Sequence, residues 1–417
     1  MKKKLKKLLN KLGPGVVTGA SDDDPSGIAT YSLAGASQGF SLLWTAFLTF
    51  PLMATIQEMC ARIGLVTQRG LAGNIKTHYK SKILLYSLTL LIVVANTINI
   101  GADLAGMSAA IKLFVPISPL ITNFIITALI IGLLVYFPYK FIVGKLKWLT
   151  FALFAYIASA VVIEHDWGQI IFSTFVPKFT VTNDFIILVV AILGTTISPY
   201  LFFWQASEEV EEIKEEEKEK HKKIIVTKNE LKIAKEDVSI GMLFSNIVMF
   251  AIIATTASTL FSAGIHEINT ADEAARALEP IAGRASSFLF TLGIIGTGFL
   301  AIPVLAGSAG YAVSETFGWR EGLSYKFRQA KSFYGIIIVS MVLGLLITLI
   351  NVNPFKALFY TAVIYGLISP ILIFFILLLA NNPKVMGKHV NTPVTNILGL
   401  ITFLIMTAAA IGFFVTL

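Results

Sequence analysis

Long apolar runs separated by short charged stretches recur along the chain: Ile83–Ala95, Ile117–Phe137, Leu149–Ile163, Phe185–Ala206, Leu243–Phe261 and Phe355–Ala380. Several approach or exceed the roughly 20 residues that a helix needs to cross a hydrocarbon core of about 30 Å. The pattern predicts eleven membrane-spanning helices, at 13–39, 42–64, 83–112, 117–137, 147–163, 184–207, 239–263, 285–314, 333–350, 354–379 and 393–416. A mean hydropathy of +0.77 and a charged fraction of 14% agree with a chain built for lipid and exclude an ordinary soluble enzyme. Met1–Lys11 is a short basic leader running straight into the first span, without the pattern of a cleavable signal. The single cysteine, Cys60, excludes an intramolecular disulfide and a multi-cysteine metal site, and reads as a small packed residue.

Charge fixes the orientation that this pattern predicts. Assigned to alternate sides of eleven spans, 28 of the 33 lysines and arginines fall on the face that holds residue 1; only Lys112, Lys178, Arg276, Arg284 and Lys356 fall opposite. That asymmetry predicts a multi-pass protein of the cell (inner) membrane with a cytoplasmic N-terminus and an extracellular or periplasmic C-terminus. The net charge of +8 is then a consequence of topology, and argues against a nucleic-acid partner. The longest hydrophilic stretch, 208–237, mixes Glu and Lys at helical spacing and reads as a solvated cytoplasmic loop.

Two of the predicted spans carry helix breakers. The first is interrupted by Ser21-Asp22-Asp23-Asp24-Pro25-Ser26-Gly27, the sixth by Gly194-Thr195-Thr196-Ile197-Ser198-Pro199-Tyr200. Proline inside a helix removes a hydrogen bond and clashes with the preceding turn. Backbone opened at that depth is tolerated only inside protein or along a polar cavity. The breaks fall at the start of two groups of five spans, which is the signature of an inverted-repeat transporter with its site at mid-membrane. The fold class expected is therefore an all-α membrane protein of the LeuT/APC type, five plus five helices with helices 1 and 6 broken. One transporter domain covers 1–417, with repeats at 13–163 and 184–379 and a last helix at 393–416.

Asp24-Pro25 and Ser198-Pro199 also suit helix N-caps followed by proline. Capping, however, requires one acid, and the first break holds three. No Lys or Arg lies in either broken helix to neutralise them, and an ionised carboxylate in the bilayer is costly without compensation. A captured cation is the partner that fits. The candidate metal-site residues are Asp24, with Asp22 and Asp23, the hydroxyls of Thr195, Thr196 and Ser198, backbone carbonyls freed at the breaks, and Gly27, whose lack of a side chain leaves room for a hydrated ion. All are hard oxygen donors, suited to magnesium or calcium, with manganese possible. None of the five histidines lies in a predicted span.

At this point the chain resembles a known family. Gly13-Pro14-Gly15, Asp24-Pro25-Ser26-Gly27, Leu43-Trp44, Ala61-Arg62-Ile63-Gly64-Leu65-Val66-Thr67 and the sixth-helix break look like the Nramp divalent-metal transporters. The resemblance implies metal held between helices 1 and 6 and carried by alternating access, with the ion as substrate and no cofactor. In that family the first break reads Asp-Pro-Gly-Asn and the sixth carries Ala and Met. Asp24 then matches the metal-binding aspartate, Gly27 replaces asparagine, Thr195 and Ser198 replace Ala and Met, and Tyr200 replaces a histidine. Thr195 to Tyr200 reads as in the Nramp-related magnesium transporters, which implies Mg2+ as cargo, with Mn2+ also carried. Proton-coupled members carry an Asp and, three residues on, a Glu in the third helix; here those places hold Asp103 and Gly106. Uptake without proton coupling is expected, since about 100 mV supplies roughly 4.6 kcal/mol to a divalent ion.

Asp103, Tyr200 and Asn99 are the candidate pathway or supporting residues, while Asn96 and Asn99 also suit hydrogen bonds between helices. Glu58 and Arg62 have the spacing of an i,i+4 ion pair. The glycines from Gly293 to Gly310 read as close-packing positions. Two other readings stay open: a proton-coupled Mn2+ or Fe2+ importer, and a sodium-coupled amino-acid carrier. An intramembrane enzyme lacks a nucleophile and base in the spans.

Overall fold

The computed structural model describes residues 14–137, 153–163, 166–179, 182–221, 226–350 and 352–416. Among these, the regular elements are helical. The first expected span is two helices, α1 (Pro14–Asp22) and α2 (Pro25–Gln38). After a 3-10 turn at Gly39–Leu42 come α3 (Leu43–Thr67), the short α4 (Leu71–His78), α5 (Lys82–Ile111) and α6 (Pro119–Tyr136). α7 (Phe154–Val162) is the described part of the expected span 147–163, whose beginning lies outside the described residues. α8 (Trp167–Phe175) leads to the second broken pair, α9 (Asn183–Thr196) and α10 (Pro199–Lys220). α11 (Lys228–Thr256) ends in a π-helical turn at Ala257–Phe261. α12 (Ala271–Ala275) and α13 (Glu279–Ala282) are short. α14 (Ser286–Phe317), α15 (Lys331–Ile347), α16 (Pro354–Ala380), the four-residue α17 (Pro383–Met386) and α18 (Pro393–Thr416) complete the order.

Eight described stretches are long and apolar enough to cross a membrane, and Lys331–Ile347 is a shorter apolar helix. The chain is a multi-pass membrane protein. α1 and α2 pack on α11, α9 packs on α16 and α18, and α5 packs on α14, α15 and α16. The broken pairs thus lie inside a sheath of continuous helices.

Glycine allows that closeness, because lipid gives helices no hydrophobic reason to associate and backbone approach has to supply contact. A Cβ on Gly194 of α9 would collide with backbone at Ala362 and Gly366 of α16, and one on Gly19 of α1 with Gly241 of α11. In α14 the expectation holds in part. Gly298, Gly307 and Gly310 are pressed by Met107, Trp204 and Phe333, whereas Gly293 faces open space.

The stretch 208–237 departs from its expected solvated character. α10 continues through it to Lys220, with Glu209, Val210 and Ile213 buried. Glu211 accepts hydrogen bonds from the backbone N–H of Leu323 at 2.6 Å and of Ser324 at 3.0 Å, and from the Tyr311 hydroxyl. Glu315 accepts from the Gly73 N–H at 2.9 Å. These carboxylates fasten the turn after α14 and the start of α4 to the bundle, and they do so with backbone donors that no charge pattern foretells. The Glu58–Arg62 pair forms as expected at 2.8 Å, and Arg62 reaches on to the His389 carbonyl at 2.6 Å.

Glu321, in the turn between α14 and α15, has its carboxyl pushed up to about 9 by burial and by the nearby Glu315 and Glu211 carboxylates. Between its ordinary value of 4.5 and about 9 the folded protein keeps a proton that the unfolded chain releases. Its contribution to stability is therefore complete at low pH and is lost as pH rises through that window. Glu321→Gln is expected to flatten the decline in melting temperature between pH 6 and pH 9; an unchanged slope would count against this account.

Candidate metal-binding site

Both breaks form where the sequence places them, and the structure brings them together. α1 stops at Asp22 and α2 restarts at Pro25, leaving Asp24 in an extended conformation (φ −67°, ψ 173°). Its carboxylate caps α2: Oδ1 accepts from the Gly27 N–H at 2.8 Å and from the Ser26 hydroxyl at 2.6 Å. Oδ2 accepts from the Asn99 amide of α5 at 2.9 Å. The predicted Ser198 cap does not form. That hydroxyl instead donates backward to the carbonyls of Thr195 at 2.6 Å and Gly194 at 3.3 Å, closing the end of α9.

Three contacts stitch the breaks to each other. The Tyr200 hydroxyl donates to the Ser21 carbonyl at 2.8 Å, Ser26 and Thr195 hydroxyls lie 3.5 Å apart, and Tyr31 and Thr196 hydroxyls lie 3.1 Å apart. A Cβ on Gly27 would stand 3.2 Å from Thr195 Oγ1 and 3.4 Å from the Asp22 carbonyl. Any side chain there would crowd the seam, so glycine keeps both oxygens accessible to one small ligand. Ser369 of α16 takes the Ile197 carbonyl at 2.9 Å.

The three aspartates, 0–1% exposed, face two ways. Asp24 points to Asn99, while Asp22 and Asp23 share the Ser245 hydroxyl of α11 at 2.7 and 3.2 Å. No three Asp, Glu, His or Cys side chains converge as a metal-holding group among the described residues. An ion here would accordingly be held by one or two carboxylates and neutral oxygens. The groups acting on the three aspartates include hydroxyls, an amide, backbone N–H and one another, but no lysine or arginine.

What remains unmatched is informative. Asp22 Oδ1, Asp23 Oδ2, Asn99 Oδ1 and both Asp103 oxygens are buried without a hydrogen-bond donor among the described residues. Asp103 is close enough to Asp24 for their charges to act on each other. Buried acceptors lacking donors are costly, and five around one pair of helix breaks is the environment that a cation relieves. The ends of α1 and α9 turn their negative dipole ends inward, which adds to that preference.

Sequence reasoning missed Ser245, Tyr31, Tyr365 and Met249. Tyr365 donates to Asn96 Oδ1 at 3.0 Å and packs on Tyr200, with ring centroids 5.6 Å apart. Asn96 in turn donates to the Leu305 carbonyl at 3.0 Å, so it serves as a link between helices. Met249 Sδ lies 3.8 Å from the Thr196 hydroxyl. A thioether thus stands near the hard oxygen donors, although this sulfur meets a hydroxyl and not a carboxylate. Thr196 otherwise binds the Ile192 carbonyl at 2.6 Å. Ser245-Asn246 was the available signal, a polar pair inside the apolar run of α11, but single serines are common in spans.

Residues 15–416 match the family described as Natural resistance-associated macrophage protein-like, Nramp. The chain belongs to the Nramp family. It is similar to the divalent metal cation transporter MntH of Caldanaerobacter subterraneus subsp. tengcongensis, 24% identical over 402 residues, 95% of this chain and 90% of the relative. MntH of Klebsiella pneumoniae strain 342 is 25% identical over 406 residues, 95% and 92% of the two chains. Among solved structures, the Eremococcus coleocola manganese transporter, in complex with an aromatic bis-isothiourea substituted compound, superposes with a TM-score of 0.78. The identity is 18%, over 98% of this chain and 87% of that one. MhsT in complex with L-phenylalanine gives 0.62 at 12% identity over 96% and 97%. These likenesses establish the LeuT-type fold for this Nramp chain.

Ser245→Ala removes the donor that Asp22 and Asp23 share. Leaving two buried carboxylates short of a partner is expected to cost about 1–3 kcal/mol, seen as a lower melting temperature in metal-free detergent solution. A variant as stable as the parent would show that those acids are satisfied some other way.

Proposed function

We propose that this protein is a transporter of divalent metal ions, not an enzyme, and that Mg2+ is its principal cargo, with Mn2+ also carried. The observation that carries the reading is the set of buried, donorless oxygens around two helix breaks with no basic side chain beside them. Asp24 is the central ligand, joined by Thr195, Ser198 and carbonyls freed at the breaks, with Gly27 leaving room beside them. Asp22, Asp23 and Thr196 complete the surroundings, and Asn99, Asp103 and Tyr200 line the path. Magnesium sheds water reluctantly and keeps several aqua ligands, which fits a seam of glycine and short hydroxyl side chains.

Alternating access follows from the half-helices. α1 and α10 each end at the site, so each can tilt while α2 and α9 stay packed on their neighbours. The site lies between the repeats at 13–163 and 184–379, and the N-terminus is cytoplasmic. With Gly106 in place of a third-helix acid and Tyr200 in place of a histidine, the membrane potential alone drives uptake. A second reading, a proton-coupled manganese importer, is favoured by the names of the relatives and by Met249 beside Thr196.

Isothermal titration with MgCl2 and MnCl2 tests the site: both should release or absorb heat with the native protein, and neither with Asp24→Ala. Retained binding by Asp24→Ala would remove Asp24 from the site. Asn99→Ala is expected to weaken affinity about 10–100-fold, as loss of a group orienting a ligand does. In liposomes carrying a pH dye, Mg2+ uptake should leave internal pH unchanged. Acidification that tracks the metal, with Mn2+ outcompeting Mg2+, would establish the second reading instead.

A further inference from the structure

Two segments that meet at one end of the bundle are rich in positive charge. Residues 69–86 hold four lysines or arginines and no acid, and residues 316–331 hold four against the single acid Glu321. α5 packs on α14 there, and Lys76 Nζ reaches the Glu315 carbonyl in the last turn of α14 at 3.4 Å. Just beyond, Gly318 takes a left-handed conformation (φ 75°). Its N–H bonds the Glu315 carbonyl at 3.3 Å, and the Trp319 N–H bonds the Ser314 carbonyl at 2.8 Å. A helix end closed in this way folds the residue after the glycine back along its own helix. Trp319 accordingly stacks on Phe317, with centroids 5.1 Å and planes 20° apart, and Phe317 stacks on Tyr86 of α5 at 5.8 Å and 15°.

These three near-parallel rings form a slab that stays open to the surroundings: Tyr86, Phe317 and Trp319 are 47%, 52% and 41% exposed. Phe317 is the last residue of one membrane-crossing stretch and Lys82 the first of another. The slab therefore lies where hydrocarbon gives way to headgroups, the depth that tryptophan and tyrosine favour. Exposed cations border it. Lys82 precedes Tyr86 by one helical turn on the same face, Lys76 Nζ stands 3.2 Å from where a Cβ on Gly318 would be, and Arg320 follows Trp319 and lies over the Tyr325 ring at 5.0 Å. The acids at this corner leave that charge uncancelled, because Glu315 is turned inward onto the Gly73 N–H and Glu321, near Lys76, is half-buried. On the apolar side, Leu90 and Val94, 64% and 47% exposed, continue the Tyr86 face of α5 into the membrane. We propose that this corner is a binding site for a phospholipid of net negative charge, its phosphate among Lys76, Lys82 and Arg320, its glycerol region on the aromatic slab and an acyl chain along Leu90 and Val94. A zwitterionic lipid offers the same chain but brings its own cation to the basic cluster. The bound lipid joins the start of α5 to the end of α14, whichever ion the protein carries.

Tryptophan quenching by chain-brominated lipid tests the site in the full-length protein. The protein is placed in phosphatidylcholine vesicles that contain a minor fraction of either brominated phosphatidylglycerol or brominated phosphatidylcholine. The signal of Trp319 is taken as the difference between the parent and Trp319→Phe, which keeps a ring in the slab. At equal mole fraction, brominated phosphatidylglycerol should quench Trp319 more strongly than brominated phosphatidylcholine. Lys82→Gln and Arg320→Gln change exposed side chains, and each should lower that preference about fivefold, the share of one basic side chain beside an anionic lipid. Lys356→Gln, an exposed change at the start of α16 on the opposite end of the bundle, should leave the preference as it was. Equal quenching by the two lipids overturns the site. So does a preference that survives both Lys82→Gln and Arg320→Gln, or one that falls as far in Lys356→Gln, which would reduce it to an effect of overall charge.

Discussion

Buried negative charge with no positive neighbour among the described residues is the constraint around which this molecule is built. Three consecutive aspartates sit at the interruption of one membrane helix, 0–1% exposed, and the groups around them are hydroxyls, an amide and backbone N–H. Hydrogen bonds to neutral donors ease the cost of burying a carboxylate but do not cancel its charge. In the function proposed above, a cation would complete the arrangement.

Holding two interrupted helices against each other at this depth requires backbones to approach closely, and glycine supplies the means. Gly19 against Gly241 and Gly194 against Gly366 leave no space for a methyl group. The helix ends so positioned then satisfy their open carbonyls from outside, Ser21 by Tyr200 and Ile197 by Ser369. Tyr200 of the second half therefore repairs the first break, while Ser369 repairs the second from within its own half, and the Ser26–Thr195 and Tyr31–Thr196 contacts join the two. A movement that separates the halves would also open this seam.

Carboxylates recur at the end where α1 enters, with a different purpose. Glu211 and Glu315 bind backbone N–H groups of neighbouring segments, so a region rich in acid works as a fastening and not as a solvated connector. Glu58 and Arg62 do the same for the segment before α18 through the His389 carbonyl. The mid-membrane acids are met by side-chain donors of other helices and, at Asp24, by the Gly27 N–H of its own break, and that contrast separates them from the fastening acids.

Much of this was legible in the chain itself. Apolar run length marks the spans because the bilayer has one thickness, and Asp24-Pro25 and Ser198-Pro199 mark the breaks because a capping residue followed by proline favours a helix start, whereas Pro51, Pro303 and Pro370 lie within continuous helices. That Asp24 caps the helix restarting at Pro25 likewise follows from local rules. Tertiary structure alone decided which way Asp22 and Asp23 turn, that Ser245 lies between them, that Met249 stands beside Thr196, and that Glu211 is buried. Those outcomes depend on residues far apart in the chain, brought together by helix crossing angles and glycine contacts. Periodicity records which face of a helix is apolar, but not which neighbour will cover it.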